Sequence, residues 1–384
     1  MKICKQKLIV RITNLFIISI FFCAYLFWNI PYTGKWLNEN VFRIYNISYK
    51  IFLYVIIFSF VCVNIIIRLR KFPVSLLIFS FFTIILSLIL KPTFISYVLV
   101  FLAAYFVVDN IKNKKYSKST VKKIVFFSLL FCCLQMLYFR SSDGRPVLSF
   151  IDPNFSAFYL FLLFVITNCL QLRLLNFICI ILGLLTLSRA FLFAVVIFLV
   201  LKYLKIFYNL AKSIRIHIPI IIVLLSLIFV FLAGEALRKY GGNNVTEYDV
   251  NISRFVTLND GSNRLRFSLN EQFVKALINS DKLKLTGVSR EYYVSNYSIL
   301  LPHNGFFEFV RINGLILAII FVSSVFLLIL NSSSRFSFPF IASYIFYMCF
   351  LPVIPAGISL LLVSIIYAVI LSLQREKYVG YNCS

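Results

Sequence analysis

Apolar runs of about 14 to 20 residues, nearly free of charge, recur from one end of the chain to the other. In a bilayer every backbone N–H and C=O must be paired within the protein, so such a run has one ordinary solution, a spanning helix. Apolar residues make up 61% of the chain, against roughly 45–50% for a soluble domain. The fold expected is an all-α polytopic membrane protein.

About twelve spans are expected from the length and spacing of the runs. They fall near Thr13–Ile30, Ile51–Ile67, Val74–Leu90, Phe94–Val108, Ile124–Tyr138, Phe155–Leu170 and Leu174–Leu187, then a short span ending at Leu201. Four more follow near Ile218–Ala233, Phe306–Leu330, Phe338–Leu351 and Ile358–Leu373. Lys91-Pro92-Thr93 reads as a tight turn. The run Leu174–Leu201 would be about 42 Å long as one helix, against a hydrocarbon core of about 30 Å. It is therefore split at Ser188-Arg189. The basic start, Met1 to Lys7, leads into an apolar run with no small-residue cleavage site, which reads as an uncleaved first span.

The net charge of +25 would suggest nucleic acid in a soluble protein. Here lysine and arginine cluster just outside the runs, where they set orientation, and the partner they imply is the anionic membrane surface. With both termini inside, the inner segments collect 21 of them and the short outer connections seven. Fusing the runs on either side of Ser188-Arg189 would put the basic segment Lys202–Arg215 outside, which supports the split. Nine cysteines fall in spans or tails, with no CxxC spacing, so neither a disulfide framework nor a metal site is expected.

One long polar segment, Gly234–Leu301, interrupts this pattern and closes in Leu301-Pro302-His303-Asn304-Gly305. It holds seven of the thirteen acidic residues. The expected organisation is spans one to nine over 1–233, a large external loop over 234–305, and spans ten to twelve with a cytoplasmic tail over 306–384, in a single bundle. Within the loop, Ser268-Leu269-Asn270-Glu271 reads as a capping box, with an amphipathic helix over Leu269–Asn279. Tyr240–Asn244 and Asn259–Asn263 read as turns.

Few residues offer chemistry. Arg189 sits where two spans meet at the outer surface. It reads either as an arginine reaching for head groups or as a guanidinium that grips a phosphate in two-pronged fashion. Arg264 and Arg266 precede the loop helix and read as a solvated basic patch or as further anion ligands. His303 has an ordinary pKa of about 6.5, suited to accepting a proton near neutral pH, or to an interfacial hydrogen bond. Glu308 and Arg311 are three apart and positioned to pair. Glu247-Tyr248-Asp249 is the nearest approach to an acidic metal pair, and no GxSxG, phosphate-binding glycine loop or HExxH is present.

Taken in order, several short stretches form a pattern. Asp152-Pro153-Asn154-Phe155 opens the sixth span, and Leu185-Thr186-Leu187-Ser188-Arg189 ends the seventh. Asp260-Gly261-Ser262-Asn263 leads into Arg264-Leu265-Arg266. Leu285-Thr286-Gly287-Val288 follows, then Pro302-His303-Asn304-Gly305-Phe306-Phe307 with Gly314. From Asp152 to Leu330 the chain resembles the O-antigen polymerase and O-antigen ligase superfamily of bacterial envelope glycosyltransferases, through that family's "LTxSR", "SxRxxxW", "PLxGxG" and "HNxxLxxxxxxG" patterns. The tryptophan of the second pattern is missing, and Ser289 replaces the last glycine of the third.

The resemblance implies transfer of glycan from an undecaprenyl-diphosphate-linked oligosaccharide at the periplasmic face of the bacterial inner membrane, with inversion at the anomeric carbon. Arg189 with Arg266 or Arg264 would hold the diphosphate, and His303 would deprotonate the attacking hydroxyl. Asp152, Asn154, Asn304, Glu308 and Arg311 would support them. No metal or cofactor is called for, and a chain-length regulator and a flippase would be partners. A polymerase joining lipid-linked repeat units is the first expectation. A ligase acting on a lipid A core acceptor is the close alternative. A flippase or other transporter is the rival class, but transporters place ionisable groups deep in their spans, and these spans are nearly free of acids.

Overall fold

The structure is a computed structural model that describes residues 2–27, 39–68, 74–113, 116–141, 144–148, 153–203, 261–298, 300–302, 304–330, 337–350 and 357–381. The expected span Ile218–Ala233, the turn Tyr240–Asn244, Glu247–Asp249, Asp152 and His303 lie outside these residues. Among the described residues the chain is all-α, with a single isolated bridge between Arg140 and Pro146. Among the described residues, four segments are each long and apolar enough to cross a membrane: Gln6–Ala24, Lys50–Ile67, Pro92–Lys112 and Lys118–Tyr138. Shorter apolar helices accompany them, among them Pro153–Cys169, Arg173–Leu185 and Ser337–Cys349.

The chain divides into two compact units, Met1–Phe191 with Gly357–Ser384, and Leu192–Ala356. The first contains α1 (Lys2–Phe27), α2 (Glu39–Arg68), α3 (Val74–Leu90), α4 (Ile95–Lys112), α5 (Lys118–Tyr138), α6 (Pro153–Cys169), α7 (Arg173–Leu185) and, returning from the end of the chain, α15 (Gly357–Tyr381). A helix that is apolar on every side must be buried on every side. Accordingly α15 is buried continuously over residues 358–372 and packs along α4, α6 and α1. Helices nearer the rim are apolar outward as well. α5 buries Val121, Val125, Leu129 and Cys132 while exposing Phe127, Leu130, Phe131 and Leu134, the pattern of a helix with one face to lipid.

Polar side chains stitch this unit where the helices carry their basic flanks. Buried Asn110 of α4 donates to Thr13 Oγ1 on α1 at 3.1 Å and to Asn64 Oδ1 on α2 at 3.0 Å. The Ser117 N–H donates to Asn14 Oδ1 at 2.9 Å, and Ser117 in turn caps α5 by accepting from the Thr120 N–H. Hydrogen bonds of this kind between spanning helices are each worth about 0.6–2 kcal/mol.

α8 (Arg189–Tyr203) runs from the first unit into the second. The second unit continues with α9 (Gly261–Asn279), α10 (Asp281–Leu285), α11 (Arg290–Asn296), α12 (Gly305–Asn313), α13 (Leu315–Leu330) and α14 (Ser337–Phe350). Two expectations are corrected here. The tenth span is two helices, broken at Gly314, whose φ of +83° no other residue adopts easily. The loop helix begins at Gly261, eight residues before the expected start, so Ser268 lies inside it and accepts from Gln272 Nε2 rather than capping. Gly261, Ser262 and Asn263, expected in a turn, form the first helical turn instead. Residue types that favour turns also favour helix starts.

Candidate functional site

In the first unit, the stretch ending in Ser188-Arg189 forms a defined break. α7 ends at Leu185, where the Thr186 hydroxyl donates to the Gly183 carbonyl at 2.7 Å. Leu187 has a φ of +51°, a left-handed conformation that strains a branched side chain. Ser188 then donates to Asn154 Oδ1 at 3.0 Å, and Arg189 opens α8, half-buried. The break thus ties the Asp-Pro-Asn-Phe stretch to the Leu-Thr-Leu-Ser-Arg stretch, two of the patterns found in the sequence.

A residue not marked by its pattern takes part. Arg145 is only 7% exposed, and its Nη1 donates to the Thr186 carbonyl at 3.4 Å. It is carried on a tight loop in which the Ser141 N–H donates to the Arg145 carbonyl and the Arg145 N–H to Ser141 Oγ. Gly144, at φ +78°, turns that loop. A cation against the carbonyl end of α7 is favourable both as a hydrogen bond and through the helix dipole. Its only signal in the sequence is one charge among several in a polar loop.

In the second unit, the Leu-Thr-Gly-Val turn and the stretch from Asn304 onward meet at α12. Asn304 caps this helix, its Oδ1 accepting from the N–H groups of Phe306 and Phe307 at 2.9 and 3.2 Å. Its Nδ2 reaches the Cys349 carbonyl of α14 at 3.5 Å. The end of the helix is fixed differently. Glu308 and Arg311 form a buried two-pronged ion pair, both bonds 2.7 Å, and Arg311 Nη1 donates to the Val288 carbonyl at 2.8 Å. The Val288 N–H returns a bond to the Arg311 carbonyl at 2.6 Å.

Two glycines make this contact possible. Gly287, at φ +67°, ends α10, where its N–H and that of Thr286 both donate to the Lys282 carbonyl. A Cβ at Gly287 would sit 2.6 Å from the carbonyl oxygens of Arg311 and Ile312. At Gly314 a Cβ would strike the Leu285 carbonyl group. The Leu285–Val288 turn and the break after Asn313 are therefore each other's reason for carrying glycine.

α9 packs against this assembly through Phe273, which stacks on Phe307 at 4.9 Å between ring centres and lies 6.0 Å from Tyr293. Among its described side chains Leu269, Asn270, Phe273 and Ala276 are buried, while Glu271, Lys275 and Ile278 are exposed. At about 100° per residue, Arg266 lies within about 20° of Phe273 and position 264 roughly 180° away. Half-buried Arg266 thus belongs to the face that meets α12. Tyr293, inside the same packing, has its phenol pushed up to about 12 by burial and then by the nearby Glu308 charge.

Chemically, Arg311 is committed to protein partners on three of its donors. Arg189, in the first unit, opens α8, and Arg266, in the second, lies on the face of α9 that carries Phe273. No known family model matches the chain, and no curated protein or solved structure is significantly similar to it.

Proposed function

We propose that this chain is a polytopic glycosyltransferase of the envelope membrane, a polymerase that joins lipid-linked glycan repeat units using an undecaprenyl-diphosphate-linked donor. The observation that carries this reading is pairwise docking of the short patterns on which the resemblance rests. Asn154 meets Ser188 across 34 residues of sequence, and Gly287 meets the helix that runs from Asn304 to Gly314.

The transfer needs three things. The acceptor hydroxyl oxygen attacks the anomeric carbon of the donor, the bond from that carbon to the diphosphate oxygen breaks, and the hydroxyl proton leaves. As the resemblance implies, an arginine neutralises the negative charge that builds on the departing diphosphate, and Arg189 and Arg266 are each a candidate for that role. Arg266 takes this role over Arg264 because of its place on α9. His303 accepts the proton, a step typically worth about 10²–10⁴ in rate. Asn304 holds the start of α12 directly after it. Twelve spans with both termini cytoplasmic would put this chemistry on the periplasmic face.

The test is the surface glycan ladder of a deletion strain complemented with the wild type, Arg189→Ala or His303→Ala. Wild type should restore the ladder, and both variants should reach the membrane yet leave a single repeat unit. Loss of all surface glycan in the deletion strain, with polymer retained on the carrier lipid, would point instead to a ligase. Unchanged chain length in His303→Ala would remove the histidine from the chemistry.

A further inference from the structure

The placement of Glu308 and Arg311 raises a question that the resemblance does not answer, because an arginine near a diphosphate site invites a ligand role. Arg311 is 5% exposed and Glu308 7%. The guanidinium gives two bonds to one carboxylate and a third to a backbone carbonyl. A phosphate reaching it would have to displace that carboxylate and leave it buried without a partner, which is strongly unfavourable.

We infer that Glu308 and Arg311 are positioning residues: together with Gly287 and Gly314 they clasp the Leu285–Val288 turn to the end of α12, and so hold the loop helices in register with the capped segment at Asn304. The clasp works because it is reciprocal. Arg311 gives to Val288 and takes from it, so the turn cannot slide along α12 without breaking both bonds. It sits on the path that connects the Arg266 face of α9 to Asn304. α9 packs on α10, α10 packs on α12 and α13, and Phe273 stacks on Phe307 beside the cap. A displacement of about 1 Å at a reacting centre is enough to lower a rate about 100-fold. The catalytic consequence rests on the glycosyltransferase reading, whereas the clasp itself does not.

Full-length protein in inverted and right-side-out membrane vesicles provides the test, with Arg311→Lys, Gly287→Ala and Glu308→Gln compared with the wild type. Arg311→Lys keeps the charge but loses the fork, and Gly287→Ala leaves the ion pair intact while its new Cβ pushes the turn away. Three readouts are needed. Trypsin cleavage at Lys282, Lys284 and Arg290 reports whether the turn is held. Binding of geranyl diphosphate reports the diphosphate site, and the glycan ladder of complemented cells reports turnover. A clasp predicts faster cleavage in all three variants, a ladder reduced about 100-fold as for a displaced reacting centre, and geranyl diphosphate binding close to that of the wild type. Loss of that binding in Arg311→Lys, with cleavage unchanged and Gly287→Ala normal, would make Arg311 a ligand and overturn the inference. Wild-type cleavage and ladder in every variant would overturn it too. If wild-type protein itself supports no polymer, the glycosyltransferase reading fails, and the trypsin readout still decides for or against the clasp.

Discussion

Arg311 and Val288 exchange two hydrogen bonds, guanidinium to carbonyl at 2.8 Å and amide to carbonyl at 2.6 Å, across 23 residues of sequence. This pairing places the short turn between α10 and α11 against a helix break that hydropathy alone does not reveal. The glycine on the far side of that break has no substitute. Gly314 holds a φ of +83°, and a Cβ there would meet the backbone of Leu285 and Thr286. Gly314→Ala is therefore expected to lower stability by about 1–3 kcal/mol through the left-handed backbone alone, with the collision adding to it. Thermal unfolding of the detergent-solubilised full chain measures this. Gly144→Ala is the control, since Gly144 has a similar φ with nothing near its Cβ, and it should lose less.

How much of this was legible in the residues follows from what each feature depends on. The helix Val74–Leu90 coincides with the span read from hydropathy, because the length of an apolar run is a local property. The break between α7 and α8 was legible for a related reason, since the run is too long for one span and carries an arginine in its middle. The break at Gly314 was not. Residues 306–313 carry Glu308, Arg311 and Asn313 among apolar neighbours that merge with the apolar run after them, and the turn that Gly314 accommodates is supplied from elsewhere in the chain. The capping-box motif at Ser268 misled because a cap requires the helix to start there, and nothing in Arg264-Leu265-Arg266-Phe267 opposes helix formation. The choice between Arg264 and Arg266 waited on that same start, since register fixes the face. Burial of Arg145 depends on how its loop folds under α7, which no local pattern encodes.

Arg145 should behave as a structural cation rather than as a ligand. Arg145→Met keeps much of the apolar stem and leaves the Thr186 carbonyl without its donor, at an expected cost of about 1–3 kcal/mol. Arg145→Lys should recover part of that loss, because charge at the carbonyl end of a helix is favourable even without the planar fork. Thermal unfolding of the two variants provides the comparison. Equal stability of Arg145→Met and the wild type would remove Arg145 from the support of the break.

The start of α11 carries a pH dependence of known sign. Glu291 accepts from its own backbone N–H region and from Ser289, and its carboxyl is held below the usual range. A depressed carboxylate contributes stability above its unfolded pKa, about 4.3 for glutamate, and loses it as pH falls through the lower folded value. Trypsin cleavage at Arg290 should thus not change between neutral pH and mild acidity through this group. Glu291→Gln should raise cleavage at neutral pH and abolish any difference between the variant and wild type in strong acid, read with an acid-active protease. The side chain is exposed, so the effect should be confined to the loop and leave global unfolding unchanged.

The register of α9 gives the sharpest comparison. Arg266 shares a face with Asn270 and Phe273, both buried, with Phe273 packed on Tyr293 of α11 and Phe307 of α12, while position 264 lies with exposed Glu271 and Lys275. If a guanidinium from this helix neutralises the departing diphosphate, it must come from the face that meets the capped start of α12. Arg266→Ala should shorten the glycan ladder as severely as loss of one charge-stabilising donor, about 10²–10³ in rate. Arg264→Ala should leave the ladder within a few-fold of the wild type. Arg266→Lys separates charge from geometry: partial recovery means that a point charge suffices, and none means that the two-pronged grip is required. The reverse outcome, with Arg264→Ala defective and Arg266→Ala normal, would mean that the diphosphate approaches from the side of α9 that faces away from α12, and the register argument would fall with it.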